Sequence, residues 1–201
     1  MTKKKAASRE RIIDAAIAAY LDGGIKAVTM RRLAKAVRVT PMALYRHFQN
    51  KDELLAALID EGFRLFAEYQ FRALEGATAA ERLLLAGQAF LDFTLQKPEF
   101  FKVIFMSPDI FANATIPEEV TARARTTYQF LVDRVAEGVR EGYLQNADPE
   151  KMARTIWSLS HGLASLYLTG LLECDEASYR ESFMEAFLHL GEGINVDATG
   201  A

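Results

Sequence analysis

The stretch of sequence that decides the fold is TMRRLAKAVRVTPMALYRHF, residues 29–48. Two short helical runs in it each follow a threonine, Thr29 and Thr40. A threonine in this place predicts a helix N-cap, because its hydroxyl can accept a hydrogen bond from a backbone amide in the first turn. Pro41 suits the first helical position, where a missing N–H costs nothing. A turn of about three residues separates the runs, so the stretch predicts a helix-turn-helix.

The flanking sequence predicts a three-helix head around this stretch. A helix over about residues 9–21 follows Ser8 as N-cap, and Gly23-Gly24 is expected to end it. Asn50 is expected to cap the next helix, with Glu53 three residues later in a capping-box position. That helix continues to about Leu74 without a proline.

The remainder of the chain predicts only helices, because no segment alternates apolar and polar residues as a half-buried strand does. Turn signals divide it into helices over about 78–96, 98–106, 118–141, 149–172 and 178–194, with a loop at 108–117. The expected fold class is therefore all-α, with about nine helices. We expect a helix-turn-helix domain over residues 1–51 and a helical bundle over residues 52–201.

The charge is divided unevenly along the chain. Residues 1–51 carry a net charge of +9 and residues 52–201 a net charge of −12. This asymmetry favours a head that binds a polyanion, although a basic tail that only aids solubility gives the same count. Cys174 is the single cysteine, and no apolar run is long enough for a membrane span, so we expect a cytoplasmic protein without membrane contact.

The second helix of the motif is built to enter the major groove of double-stranded DNA, because short or apolar residues at its start can approach base edges. Arg31 and Arg46 could read guanine or hold a phosphate, and Tyr45 and His47 could donate to phosphates. The alternative is a three-helix core with solvated charges. The predicted DNA contacts are Thr29, Arg31, Arg38, Thr40, Pro41, Met42, Ala43, Tyr45, Arg46, His47 and Lys51.

Residues 11–55 resemble the TetR family of bacterial transcription regulators, in the patterns T-x-x-x-L-A, L-Y-x-H-F and N-K-x-x-L. The resemblance implies a ligand-responsive homodimer, most often a repressor, that reads a pseudo-palindromic operator. It also implies phosphate contacts by Tyr45, His47 and Lys51. The family usually has glycine where this chain has Arg38. Either Arg38 accepts a left-handed backbone and adds a phosphate contact, or the turn has another geometry.

The segments PEFFKVIF (98–105) and IWSLSHGLASLYLTGLL (156–172) resemble a C-terminal domain type named for a Trp-His-Gly motif. Such a domain implies a pocket for an unknown small apolar ligand. Most of its aromatic residues could equally be plain core. The predicted ligand contacts are Phe66, Phe90, Phe93, Phe101, Phe105, Tyr128, Trp157, Ser158 and His161.

The last two predicted helices, over 149–172 and 178–194, carry the expected homodimer interface. Small residues on the first would permit close approach, and apolar residues on the second recur at helical spacing. The same stripe could instead face the core of its own subunit. The predicted contacts are Gly162, Ser165, Phe183, Phe187 and Leu190.

Two other classes of protein fit the sequence less well than a specific regulator does. No metal-ligand spacing, phosphate loop or catalytic motif is present in the sequence, so an enzyme is disfavoured and no cofactor is expected. A nucleoid-type protein that binds all DNA alike would share the basic head but lack sequence preference.

Overall fold

The computed structural model describes residues 8–194, with side chains to residue 190. All regular structure in this range is helical, which confirms the predicted all-α class. The ten α-helices are α1 (Arg9–Ala27), α2 (Met30–Ala36), α3 (Pro41–Tyr45), α4 (Lys51–Gln70), α5 (Ala79–Gln96), α6 (Pro98–Phe105), α7 (Pro108–Asn113), α8 (Glu118–Arg140), α9 (Pro149–Leu168) and α10 (Glu176–Ile194), with a 3-10 helix over Phe71–Glu75. None of these described helices is both long and apolar enough to cross a bilayer.

The chain forms two compact units, and the first is discontinuous in sequence. It contains the residues up to Arg64 together with Glu99–Arg123. In its N-terminal part α2 packs against both α1 and α3. The side chains of Ile12, Leu33 and Leu44 are fully buried there. Together they form the small core that the helix-turn-helix pattern requires.

The second segment of the first unit attaches to the first by specific contacts. The Phe63 and Phe105 rings pack edge to face, with centroids 5.7 Å apart. Arg123 Nε lies 2.6 Å from an Asp60 carboxylate oxygen. The Tyr20 hydroxyl of α1 donates to the Asp109 carboxylate of α7. Helices α6 and α7 therefore hold α1 and α4 in this unit.

The second unit contains Leu65–Pro98 and the residues from Ala124 onward. Its helix α5 packs against α9 and α10, which also pack against each other. Its core includes Val135, Leu144 and Ile156, each at most 3% exposed. Arg82 of α5 pairs with Glu137 of α8, Nε to Oε2 3.0 Å, so an ion pair ties the start of α5 to α8.

Local capping signals placed the helix starts correctly. The backbone amides of Arg11, Arg32, Ala43 and Glu53 donate to the predicted caps Ser8, Thr29, Thr40 and Asn50 respectively. The return bond from Glu53 goes to the amide of Gln49, 2.6 Å away, rather than to Asn50. Each start is thus fixed by residues within one turn of it.

Three predicted helix limits were wrong. The expected loop at 108–117 contains α7, because Pro108 serves as its first residue and Ile110 is fully buried as its anchor. Helix α4 ends at Gln70 rather than at about Leu74, because the chain continues as a 3-10 helix over Phe71–Glu75. The break expected in α1 at Gly23-Gly24 is present, since neither residue has helical backbone angles, and a short helical segment follows it to Ala27. Helix α9 ends at Leu168 rather than 172, since Gly170 turns the backbone with φ +75°.

Candidate functional site

Helix α3 lies on the surface of the first unit and is anchored by one buried side chain. Thr40 Oγ1 accepts from the Ala43 amide at 3.2 Å and fixes the start of the helix. Leu44 is its only buried residue. Met42, two residues earlier, is 70% exposed. The outward face of α3 is therefore free to meet another molecule.

The arginines of the head divide into two groups according to their contacts. Arg32 pairs with Asp22 at 2.5 Å, and Arg9 lies over the Phe48 ring. The second group contains exposed arginines whose guanidinium groups form no hydrogen bond or ion pair with another described residue: Arg31, Arg38 and Arg46. Their guanidinium groups are available to an external anion without breaking an internal contact.

The remaining predicted DNA contacts lie near these arginines in sequence, on α2, α3 and the start of α4. Tyr45 and His47 are exposed. Lys51 is half-buried, and its Nζ donates to the Ile25 carbonyl. Thr29, Thr40 and Pro41 are exposed and Ala43 is half-buried. All eleven predicted residues thus belong to the first unit, and their contact with DNA stays a prediction.

The turn between α2 and α3 has a left-handed residue that is not glycine. Arg38 has φ +60°, the single such non-glycine residue in the described range. Its amide donates to the Lys35 carbonyl at 3.2 Å, and the Val39 amide donates to the Ala34 carbonyl at 2.9 Å. This pair of bonds is the Schellman motif, which places its C′ residue in the left-handed region. Of the two geometries expected for Arg38, the left-handed one is present.

The chain uses the same motif twice more, each time with glycine. Gly142 follows α8 with φ +74°, and Gly170 follows α9 with φ +75°. Both amides donate three residues back, to the Val139 and Tyr167 carbonyls. Arg38 is thus the exception among three equivalent turns, and its exposed guanidinium is the group that glycine would lack.

The second unit holds a small, partly open apolar cavity of about 30 Å³. Its lining residues are mostly aliphatic and aromatic: Phe66, Gln70, Leu83, Ala86, Gly87, Phe90, Phe130, Leu131, Ile156, Trp157, Ser160 and Phe187. Three of the predicted ligand contacts, Phe66, Phe90 and Trp157, are among them. A mostly apolar lining with few polar groups is typical of sites for small organic ligands.

The other predicted ligand contacts are distributed more widely. Phe93 packs on Phe66, with centroids 5.0 Å apart, and Tyr128 packs on Trp157 at 5.4 Å. The His161 ring lies 4.2 Å from that of Trp157. These three residues pack against lining residues and do not line the cavity themselves.

Three predicted ligand contacts do not reach the cavity. Phe101 and Phe105 belong to the first unit, where their rings pack together 5.0 Å apart. Ser158 is exposed on α9. Phe101 and Phe105 pack in the first unit and Ser158 lies on the surface, so none of the three lines the cavity of the second unit.

Two polar residues of the cavity were not predicted from the sequence. Gln70 is only 6% exposed, and its Nε2 donates to the Thr127 carbonyl at 2.9 Å. Ser160 is buried, and its hydroxyl donates to the Ile156 carbonyl at 2.9 Å. The register of α9 could have indicated Ser160, since it follows the apolar Ile156 by four residues.

His161 is neutral in the folded protein. Burial lowers its pKa to about 4, against the opposing effect of its hydrogen bond to the Trp157 carbonyl. A carbonyl oxygen can only accept, so Nδ1 carries the proton and donates at 2.9 Å. The ring therefore brings no positive charge to the wall of the cavity.

The predicted dimer contacts lie at different depths. Phe183 is fully buried between the Phe90 and Phe187 rings, so it is a core residue of its own subunit and cannot reach a partner. Gly162 is exposed, and Ser165, Phe187 and Leu190 are half-buried. Leu188, which was not predicted, is 64% exposed on α10.

Comparison with known proteins identifies the class. Residues 12–58 match the sequence profile of bacterial regulatory proteins of the tetR family. Residues 83–190, more than half of the chain, match the tetracyclin repressor-like C-terminal domain. The chain therefore belongs to the TetR family of bacterial regulatory proteins, as its sequence motifs indicated. The Trp-His-Gly subtype stays a prediction, because the matching description is the general one.

Among its relatives is the HTH-type transcriptional repressor KstR of Mycolicibacterium smegmatis, 33% identical over 114 residues, which cover 56% of this chain and 55% of KstR. The chain spans about half the length of the curated relatives it matches first. Two solved structures show the same fold. A protein of unknown function from Rhodococcus sp. RHA1 has a TM-score of 0.78 at 22% identity, covering 98% of this chain and 100% of that one. AibR in complex with isovaleryl coenzyme A and operator DNA has a TM-score of 0.71 at 21% identity, covering 87% and 94%.

Proposed function

We propose that this protein is a DNA-binding transcriptional regulator, a repressor that binds a pseudo-palindromic operator as a homodimer and leaves it when a small ligand binds. The observation that carries the proposal is the exposed helix α3, held by Leu44 alone and accompanied by the unpaired arginines 31, 38 and 46. A short helix that begins with apolar residues can enter the major groove, and cations near it in sequence can bind the flanking phosphates. No catalytic role belongs to the proposal, and its site of action is the cytoplasm, where bacterial DNA lies.

Selection from a random duplex library tests DNA binding without knowledge of the operator. The expected result is enrichment of an inverted repeat whose half-sites are one helical turn or more apart. Arg46→Ala should weaken binding of the enriched duplex, whereas Arg154→Ala, an exposed arginine on α9, should leave binding unchanged. Equal affinity for enriched and unselected duplexes would favour the nucleoid-type alternative and refute specific regulation.

The homodimer is proposed to form through α9 and α10. Exposed Gly162 and Leu166 lie one turn apart on α9, so the two helices can approach closely there, and Leu188 is exposed on α10. Half-buried Ser165 and Leu190 would complete this surface. Burying leucine side chains against a second copy removes apolar area from water.

Light scattering after size-exclusion chromatography tests the dimer. Leu188→Glu should shift the protein from dimer to monomer, because each subunit would bury an unpaired carboxylate in the proposed interface. Leu74→Glu is the matched control, since Leu74 is similarly exposed but lies in the 3-10 helix. A dimer that survives Leu188→Glu would remove α10 from the proposed interface.

The proposed response to ligand follows from linkage. The two heads of a dimer fit DNA at one spacing only. A ligand that binds better to a conformation with another spacing therefore lowers the affinity of the dimer for DNA. Helix α4 continues from Lys51 to Gln70 without a break, and Phe66 and Gln70 on it line the cavity. The AibR structure, which shares this fold, contains isovaleryl coenzyme A and operator DNA, so one protein of this fold has a site for each. Isothermal titration of the enriched duplex with and without ligand tests this; equal affinity refutes it.

A further inference from the structure

The outward face of α3 carries two side chains opposite the buried anchor of the helix. At about 3.6 residues per turn, Met42 and Arg46 each lie about 160° around the helix axis from Leu44, whereas Ala43 and Tyr45 lie about 100° from it. Arg46 follows the helix with φ −73° and ψ −21°, which are helical angles, so the same count applies to it. A helix that enters a groove presents the face opposite its attachment to the protein. Met42 and Arg46 are therefore the residues of α3 that face the floor of the groove.

Both side chains can contact DNA without the loss of an internal contact. Met42 is 70% exposed, and among the described large apolar side chains only Leu171 is more exposed. The guanidinium group of Arg46 forms no hydrogen bond or ion pair with another described residue. Burial of Met42 against a base would remove apolar surface from water, a gain that the free protein does not have.

The chemistry of these two side chains selects the bases they can read. The C5-methyl group of thymine is the apolar group on the major-groove edge of the base pairs, and an apolar side chain can pack on it. An arginine can donate two hydrogen bonds to O6 and N7 of guanine. We propose that, in each half-site of the operator, Met42 contacts a thymine methyl and Arg46 reads a guanine. The inference rests on the proposed regulator function and adds the identity of the bases.

The two bases lie close together in the half-site. Residues four apart on a helix have Cβ atoms about 6 Å from each other. Successive bases of one strand are about 3.4 Å apart along the duplex axis. The thymine read by Met42 and the guanine read by Arg46 therefore lie within about three base pairs of each other.

The composition of α3 disfavours direct reading of the other two bases. Adenine is read by the amides of asparagine and glutamine, and cytosine by the carboxylates of aspartate and glutamate. None of these residue types occurs between Thr40 and Phe48. The alternative role for Arg46 is a phosphate contact, which would carry no base preference. Its position opposite Leu44 favours the base, whereas Tyr45 lies to the side, nearer to the wall of the groove.

Base analogues that each remove a single group test the two contacts on the duplex enriched by library selection. Uracil in place of thymine removes only the C5-methyl group, and 7-deazaguanine in place of guanine removes the N7 acceptor. Each thymine and each guanine of one half-site is replaced in turn, and the affinity of the whole chain is measured by fluorescence anisotropy. We expect a uracil to weaken binding about fourfold at the position of Met42, through the loss of one buried methyl. A 7-deazaguanine should weaken it about tenfold at the position of Arg46.

Two variants assign these effects to their residues. In Met42→Ala the uracil should weaken binding no further, while the sensitivity to 7-deazaguanine remains. In Arg46→Ala the reverse is expected. Both positions are exposed, so neither substitution removes a core contact. Leu74→Ala, at a similarly exposed leucine of the 3-10 helix, is the control and should keep both sensitivities.

The possible results separate this inference from the regulator proposal. An enriched duplex in which no thymine methyl or no guanine N7 affects binding would overturn the base assignment and leave the regulator proposal intact. A sensitivity that persists in the matching alanine variant would overturn it equally, because another residue would then make the contact. Failure of the library to enrich any duplex would refute both.

Discussion

Replacing Arg38 by glycine is expected to stabilise the protein and weaken its DNA binding at the same time. A residue with a Cβ in the left-handed region costs about 1–2 kcal/mol. Glycine removes this cost but loses about 0.5–1 kcal/mol through the greater freedom of the unfolded chain. For Arg38, which has φ +60° and an exposed guanidinium without a described partner, these two ranges give a net gain between zero and about 1.5 kcal/mol.

The effect on DNA has the opposite sign. Each phosphate contact contributes about 0.9 to the slope of log affinity against log salt. If the Arg38 guanidinium holds a phosphate, Arg38→Gly lowers the magnitude of this slope by about one for each subunit. The assays are urea unfolding followed by circular dichroism, and titration of the enriched duplex at several salt concentrations.

Arg38→Ala separates the two effects. Alanine removes the guanidinium but keeps the Cβ, so the affinity for DNA should fall as in Arg38→Gly while the unfolding midpoint stays near that of the unaltered protein. If glycine stabilises no more than alanine, the argument from backbone strain is wrong. If the salt slope is the same in all three proteins, the phosphate contact is wrong.

Three further predictions concern other groups. Lys51→Ala should weaken binding to all duplexes and lower the salt slope by about one per subunit, as a gel-shift salt series measures; unchanged affinity contradicts a phosphate contact. Arg31→Ala should relax the preference at one base position, which repeated library selection detects; an unchanged consensus contradicts base contact. Because the pKa of His161 is lowered in the folded protein, the free energy of unfolding should decrease as the pH falls from about 6.5 towards 4. His161→Gln should flatten this pH dependence, as urea unfolding measures. His189→Gln, at an exposed position, is the control and should leave it unchanged.

The head could be predicted in detail because its signals are local. Thr29, Thr40 and Asn50 cap helices within three residues of themselves, and such contacts are visible in the sequence. At Arg38, where a known pattern has glycine, the sequence left two turn geometries open, and the structure shows the left-handed one.

The cavity was predicted less well because its residues are set by helical register and by long-range packing. Ser158 and Ser160 look alike in sequence, yet only Ser160 shares the buried face of α9 with Ile156. Gln70 appeared to be one more polar residue of a long helix, and its burial depends on Thr127, 57 residues away. Phe105 was assigned to the pocket by its aromatic type, whereas its position depends on Phe63.

The first unit is built from two separate chain segments, so a truncated protein keeps this unit intact only if it contains both. A fragment ending near Arg64 would retain the helix-turn-helix but lack Asp109, Phe105 and Arg123, the partners of Tyr20, Phe63 and Asp60. The apolar surface that α6 covers on α4, including Gly62 against Ile104, would then be open to water. Fusions that transplant this helix-turn-helix onto another protein should therefore carry the 99–123 segment as well, because the fragment without it would expose apolar surface and aggregate.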